Sequence, residues 1–151
     1  MQKFIKNTLL IFVFITIGFA VGKHTERAKV SRPLLSQPAE AVDYTSVIYF
    51  HGNQRCKTCK MIEAMARRSV SRHFKNELGK TVKWRVMNYQ TEKELAKKFD
   101  LSFSTVVVTR VENGQVVKFQ RLDEVWEKLH DELNFSDYIA AAVQGYLGEL
   151  K

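Results

Sequence analysis

Two cysteines occur in the 151 residues, and they stand three apart as Cys56-Lys57-Thr58-Cys59. Thiols at this spacing can close a small disulfide and reopen it, which is thiol–disulfide exchange. The position in the pattern favours that chemistry. A β-branched, aromatic run precedes the pair and the longest amphipathic stretch follows it, so Cys56 is predicted at the start of a helix with Cys59 one turn in. Unpaired amides and the positive end of the helix dipole stabilise a thiolate there. A thiol brought down from ~8.5 toward ~7 gains about tenfold or more in thiolate at neutral pH.

The neighbouring residues supply candidate support. Ten basic residues and two acidic ones, Glu63 and Glu77, lie between Arg55 and Arg85. Arg55, Lys57 and Lys60 are nearest the thiols, and Arg55 and Lys57 are taken as supports for the thiolate. Arg67, Arg68, Arg72 and Lys75 read as a solvated helix face, since exposed charges contribute little each and salt screens them. His51 either bonds a loop carbonyl at the end of its strand or exchanges a proton with Cys59. Glu63 is expected to pair on the helix surface, and Trp84, Trp126 and the phenylalanines to fill the core.

Other uses of two cysteines are open. A zinc finger needs two histidines after the pair. Cys59 to His73 has a suitable separation, but residues 77–79 are Glu-Leu-Gly and the second histidine is missing. Two thiolates can hold a soft ion such as Cu(I), so a soft-metal or metalloid binding module is one alternative. A non-catalytic subunit is another. A purely structural disulfide closing so short a loop stabilises little. The net charge of +8 favours anionic partners, but no nucleic-acid motif accompanies it and no nucleic-acid partner is expected.

The elements that must position the pair alternate. Val47–Phe50 reads as a strand. Ile62, Met65, Ala66, Val70, Phe74 and Leu78 recur at helical spacing from Thr58 to Leu78, with Gly79 as the C-cap residue. Val82, Trp84 and Val86 alternate with Lys83 and Arg85, a strand with one wet face. Thr91 with Glu94 forms a capping box for a short helix ending near Phe99. Thr105–Thr109 and Val116–Phe119 are strands joined as a hairpin at Asn113-Gly114. Helices follow over 122–129 and from Ser136, as N-cap, to Gly148. The order β-α-β-α-β-β-α-α implies a parallel pair, with the hairpin supplying antiparallel edges, in an α/β domain over 44–151.

The first 22 residues stand apart. Lys3 and Lys6 precede an uncharged run from Leu9 to Val21, which is the pattern of a cleaved signal peptide or an uncleaved signal-anchor helix. Residues 23–43 hold both prolines, Pro33 and Pro38, and read as an extended linker. These features place the folded domain in the cell envelope, outside the cytoplasm (the periplasm), tethered to the membrane through its N-terminal segment or released from it. Protein dithiol or disulfide partners, acidic ones included, are expected.

The stretch Phe50-His51-Gly52-Asn53-Gln54-Arg55-Cys56-Lys57-Thr58-Cys59-Lys60-Met61-Ile62-Glu63 resembles the thioredoxin-like family called nitrophenyl compound nitroreductase subunit. The resemblance extends to Ser104–Val108 and to Leu122-Asp123-Glu124-Val125-Trp126, and it covers about residues 46–150. It implies a small exported or lipid-anchored bacterial protein with a thioredoxin-like mixed four-stranded sheet flanked by helices. It also implies a dithiol site at Cys56 and Cys59. No flavin-binding signature accompanies it, and no cofactor or resident metal is expected. One departure stands out. Ordinary thioredoxins place a cis-proline before the third strand, facing the dithiol, whereas this chain has Ser104 there. A cis bond without proline costs ~2.5–4 kcal/mol, so a trans bond is expected, with the Ser104 hydroxyl free to bond a cysteine sulfur. In thioredoxins that loop also keeps metals off the thiols, so its loss favours the metal alternative slightly.

Overall fold

The computed structural model describes residues 43–148. The expected signal or anchor segment (1–22) and the linker up to residue 42 lie outside the described residues.

Strand β1 (Tyr44–His51) is buried along its whole length except at His51. It pairs in parallel with β2 (Val82–Asn88) on one side and antiparallel with β3 (Thr105–Glu112) on the other. Pairing on both sides explains why it begins three residues earlier than the apolar run suggests. Thr45 and Ser46 are carried into the sheet centre, where the Thr109 hydroxyl donates to the Ser46 carbonyl at 3.3 Å. Strand β4 (Gln115–Leu122) pairs antiparallel with β3 after the turn at Asn113 (φ 50°) and Gly114 (φ 76°). Positive φ at both central residues matches the twist of a tight hairpin. The sheet order is β2-β1-β3-β4. The hairpin therefore contributes one central strand and one edge, not two edges. A βαβ crossover followed by such a hairpin, in this order, is the thioredoxin-like α/β arrangement.

Residues one apart on a strand face opposite layers. Val47 and Tyr49 of β1 and Val106 and Val108 of β3 join Ile62, Met65, Ala66 and Val70 of helix α1 (Lys57–His73) in one cluster. Phe135, Ile139, Val143 and Tyr146 of α3 (Glu132–Leu147) complete it. Phe50 points the other way, onto Phe99 just after the short helix α2 (Lys93–Lys98) at 5.9 Å between ring centroids, and Phe99 meets Phe119 at 4.8 Å.

Local signals and tertiary structure disagree at several element ends. Helix α1 stops at His73 with Phe74 as its cap, not at Gly79. Phe74 and Leu78 keep the apolar spacing, but Leu78 instead bridges to Val82, and Gly79 (φ 85°) turns the chain into β2. The Thr91–Glu94 capping box does not form: Glu92 is the N-cap residue of α2 and the Thr91 hydroxyl donates to the Asn88 carbonyl at 3.1 Å. Val86 is 40 % exposed on the edge strand, so the wet-and-dry alternation of β2 fades along its length. Residues 122–129 form two 3-10 turns, Asp123–Trp126 and Lys128–His130, rather than an α-helix. Asp131, not Ser136, caps α3, accepting from the Leu133 and Asn134 amides at 3.1 and 3.0 Å. Ser136 lies one turn inside, where its hydroxyl meets Ser69 Oγ at 3.2 Å and His73 Nε2 at 3.0 Å and ties α3 to α1.

Ile139 is fully buried in the larger cluster. Ile139→Ala should lower unfolding free energy by about 2–5 kcal/mol. In a urea titration this would appear as a lower midpoint at unchanged slope, whereas an unchanged midpoint would mean that α3 does not seal that face.

Candidate functional site

The pair sits where β1 gives way to α1. Cys56 is the N-cap residue of α1, with φ −66° and ψ 162°, and its sulfur accepts the Cys59 backbone amide at 3.0 Å. The two residues are joined as a disulfide, with Cα atoms 5.1 Å apart. Cys56 is exposed and Cys59 is buried beneath it. On reduction the same amide faces the Cys56 thiolate, where a charged acceptor makes the bond about twice as strong as a neutral one. No acidic residue stands in the first turn of α1 to oppose that charge.

The four expected supporting residues take different positions. His51 Nδ1 lies 2.8 Å from the Gly52 carbonyl, which is the loop-carbonyl role; no hydrogen bond joins its ring to either sulfur. Arg55 is ion-paired to Glu63 and both are half-buried, so its charge is largely matched rather than free for the thiolate. Lys57 is exposed on the first turn. Ser104 is buried in the trans chain before β3. Its hydroxyl makes no hydrogen bond to a sulfur, and its carbonyl accepts from Trp126 Nε1 at 2.8 Å.

Tyr49 is the residue that sequence reasoning missed. It is fully buried under the helix start, and its hydroxyl donates to the Cys59 carbonyl at 2.7 Å. One phenol thus connects β1 to the second cysteine at the start of α1. The available signal was the strand alternation that turns Tyr49 toward the helices, together with the need of a buried tyrosine for a partner. Which partner it takes is set by long-range packing.

A groove of ≈ 530 Å³ opens beside Cys59, lined by Gly52, Tyr89, Gln90, Phe103, Ser104 and Trp126. Carboxamides hold part of this lining together. The Asn53 amide donates to Gln90 Oε1 at 2.6 Å, Asn88 Nδ2 to Asn53 Oδ1 at 2.7 Å, and the Gln90 amide to Asn88 Oδ1 at 2.9 Å. A Cβ on Gly52 would sit 3.1 Å from the Tyr89 hydroxyl, so this close approach favours glycine. Among the described residues no His, Cys, Asp or Glu cluster adds a third ligand to the two sulfurs.

Burial pushes the Tyr49 phenol above its ordinary 10.0, against the lowering effects of the Ser104 hydrogen bond and the Arg55 charge. Because the folded value is raised, its contribution to stability is intact below pH 10 and is lost as pH rises from there through the folded value. Tyr49→Phe should cost about 0.5–1.5 kcal/mol at neutral pH by removing the buried bond to the Cys59 carbonyl. It should also make the fall in stability above pH 10 shallower. Equal unfolding midpoints for the two proteins across that range would refute the bond.

No family model matches the chain, and no curated protein matches it. Among solved structures it is similar to the Trx4 domain of ERdj5, at 14 % identity and TM-score 0.46, over 69 % of this chain and 80 % of that one. It is also similar to Trxlp from Edwardsiella tarda, at 16 % identity and TM-score 0.42, over 75 % and 92 % of the two chains. Thioredoxin f2 of Chlamydomonas reinhardtii matches at 18 % identity and TM-score 0.40, over 68 % and 91 %. At these levels of similarity the thioredoxin-like assignment rests on strand order, pairing and the placement of the dithiol.

Proposed function

We propose that the protein is a thiol–disulfide oxidoreductase acting on protein disulfides. The carrying observation is the pairing of an exposed N-cap sulfur, served by the Cys59 amide, with a second cysteine buried directly beneath it. In the reducing direction the Cys56 thiolate attacks one sulfur of a partner disulfide. A mixed disulfide forms and the other partner sulfur leaves as a thiolate, which takes up a proton. Cys59 loses its proton and attacks the Cys56 sulfur. The Cys56–Cys59 disulfide forms, the mixed disulfide breaks, and the second partner thiol departs. Two electrons pass from the dithiol to the partner. The reverse sequence donates a disulfide, and the partner's potential selects the direction.

The N-terminal pattern of Lys3, Lys6 and the Leu9–Val21 run supports an extracytoplasmic, membrane-tethered or released domain. The residues around Cys56 support a place in the nitrophenyl compound nitroreductase subunit family as a dithiol-bearing component. The linker reading of 23–43 sets the tether between anchor and domain.

With dithiothreitol as electron donor, the wild-type protein should accelerate insulin reduction and Cys56→Ser should abolish the acceleration. Cys59→Ser should instead accumulate a mixed disulfide that survives non-reducing electrophoresis. Indistinguishable turnover by wild type and Cys56→Ser would end the oxidoreductase reading. A C-terminal fusion to alkaline phosphatase, which is active only where disulfides form, should be active in bacterial cells; activity confined to a cytoplasmic reporter would reverse the topology.

A further inference from the structure

The face of α1 that adjoins Cys56 is unusual in composition. The helix carries Lys57, Lys60, Arg67, Arg68 and Arg72 against a single acid, Glu63, which is already paired with Arg55. All five cations are exposed. Lys60, Arg67 and Arg72 have no acidic partner among the described residues, and Arg68 has only a 3.7 Å contact with Glu132, both side chains being well exposed. Such an exposed pair contributes little.

Separations of three and four residues, with Arg67 and Arg68 adjacent, keep Lys60, Ala64, Arg67, Arg68 and Arg72 on one side of the helix, opposite the buried Ile62, Met65, Ala66 and Val70. At about 1.5 Å per residue the stripe from Lys57 to Arg72 runs about 22 Å. Helix stability accounts for only part of it. The dipole favours Arg72 in the last turn, but Lys57 and Lys60 stand near the positive end, where each is unfavourable by tenths of a kcal/mol and acids are favoured. The face is not flat. Arg55, Lys60, Glu63, Ala64, Arg67 and Arg68 line a shallow, open groove of ≈ 540 Å³. An open groove lined by four cations and one acid, on the helix whose N-cap is the exposed sulfur, fits an extended polypeptide better than a planar lipid surface.

We infer that this face docks an acidic segment flanking the disulfide of the protein's polypeptide substrate. The inference rests on the oxidoreductase reading and names its substrate class. The acidic flank lies along the α1 groove while its disulfide meets Cys56, so attraction raises the rate of encounter rather than changing the exchange chemistry. Steering of this kind raises association rates by 10–10³-fold at low salt and is screened over about 10 Å at 0.1 M.

The test uses the reduced full-length chain and three synthetic peptides with one internal disulfide, flanked by glutamates, glutamines or lysines. Each second-order rate of Cys56 oxidation, followed by tryptophan fluorescence, is divided by that for the small neutral hydroxyethyl disulfide. At about 20 mM salt the glutamate peptide should exceed the glutamine peptide by about tenfold and the lysine peptide should be slowest, the spread closing toward one at about 0.5 M. Arg67→Glu/Arg68→Glu should invert the order. Should the double reversal fail to fold, Arg67→Gln/Arg68→Gln should narrow the spread. Equal normalised rates for the three peptides, on a protein that does reduce hydroxyethyl disulfide, overturn the docking inference alone. Failure to reduce hydroxyethyl disulfide overturns the oxidoreductase reading beneath it. Co-sedimentation with phosphatidylglycerol vesicles that is lost in the same variants, without discrimination among peptides, overturns it in favour of a lipid surface.

Discussion

A helix cannot bond its own first amides, and this protein brings a sulfur to them. The Cys56 side chain stands where serine or aspartate usually caps a helix, and the Cys59 amide points at it. That one interaction sets most of what surrounds it. It requires β1 to end shortly before Cys56, and the second sulfur to lie one turn in, on the buried side of the same turn. The first turn must also stay clear of acids, which would stabilise the helix but oppose the thiolate.

The buried side of that turn is held from below. Tyr49 reaches from the centre of the sheet to the Cys59 carbonyl, and Ser104 is buried in the chain entering β3. Trp126 in turn bonds the Ser104 carbonyl from the 3-10 segment after β4. Of these residues, Tyr49 bonds the backbone of the second cysteine, while Ser104 and Trp126 line the groove beside it. Where ordinary thioredoxins are expected to carry a proline, this chain has a buried serine. Part of the groove lining beside Cys59 is built from carboxamides that bond one another, which shapes it without adding charge.

Charge is arranged in two ways around the site. Arg55 and Glu63 cancel locally, and their half-burial makes that pairing stronger than a surface contact. Further along α1 the cations are left uncancelled and solvated. The first arrangement is part of the lining of the α1 groove. The second extends its field away from the protein, toward whatever approaches the exposed sulfur.

The dithiol, its place at a strand–helix junction and the α/β order were legible in the residues because each rests on short-range pattern. Cys-x-x-Cys lies within one helical turn, the apolar spacing of α1 shows its buried face, and Asn113-Gly114 specifies a tight turn whatever surrounds it. Capping was less legible. Thr91 and Ser136 have the right side chains for N-caps, yet Asn88 and the Ser69–His73 pair offered them better partners. Leu78 kept helical spacing beyond the end of α1 because the same apolar side chain serves equally well at the entry to β2. Arg55 read as a free cation until the fold brought Glu63 within reach, and Tyr49 read as one more core aromatic. By itself the sequence determined that two thiols sit at a helix start, because bonding there depends on residues a few positions apart. Only the tertiary structure decided which sulfur is exposed, which strand is central and what lies under Cys59, because those follow from contacts between segments whose separation along the chain carries no periodic signal.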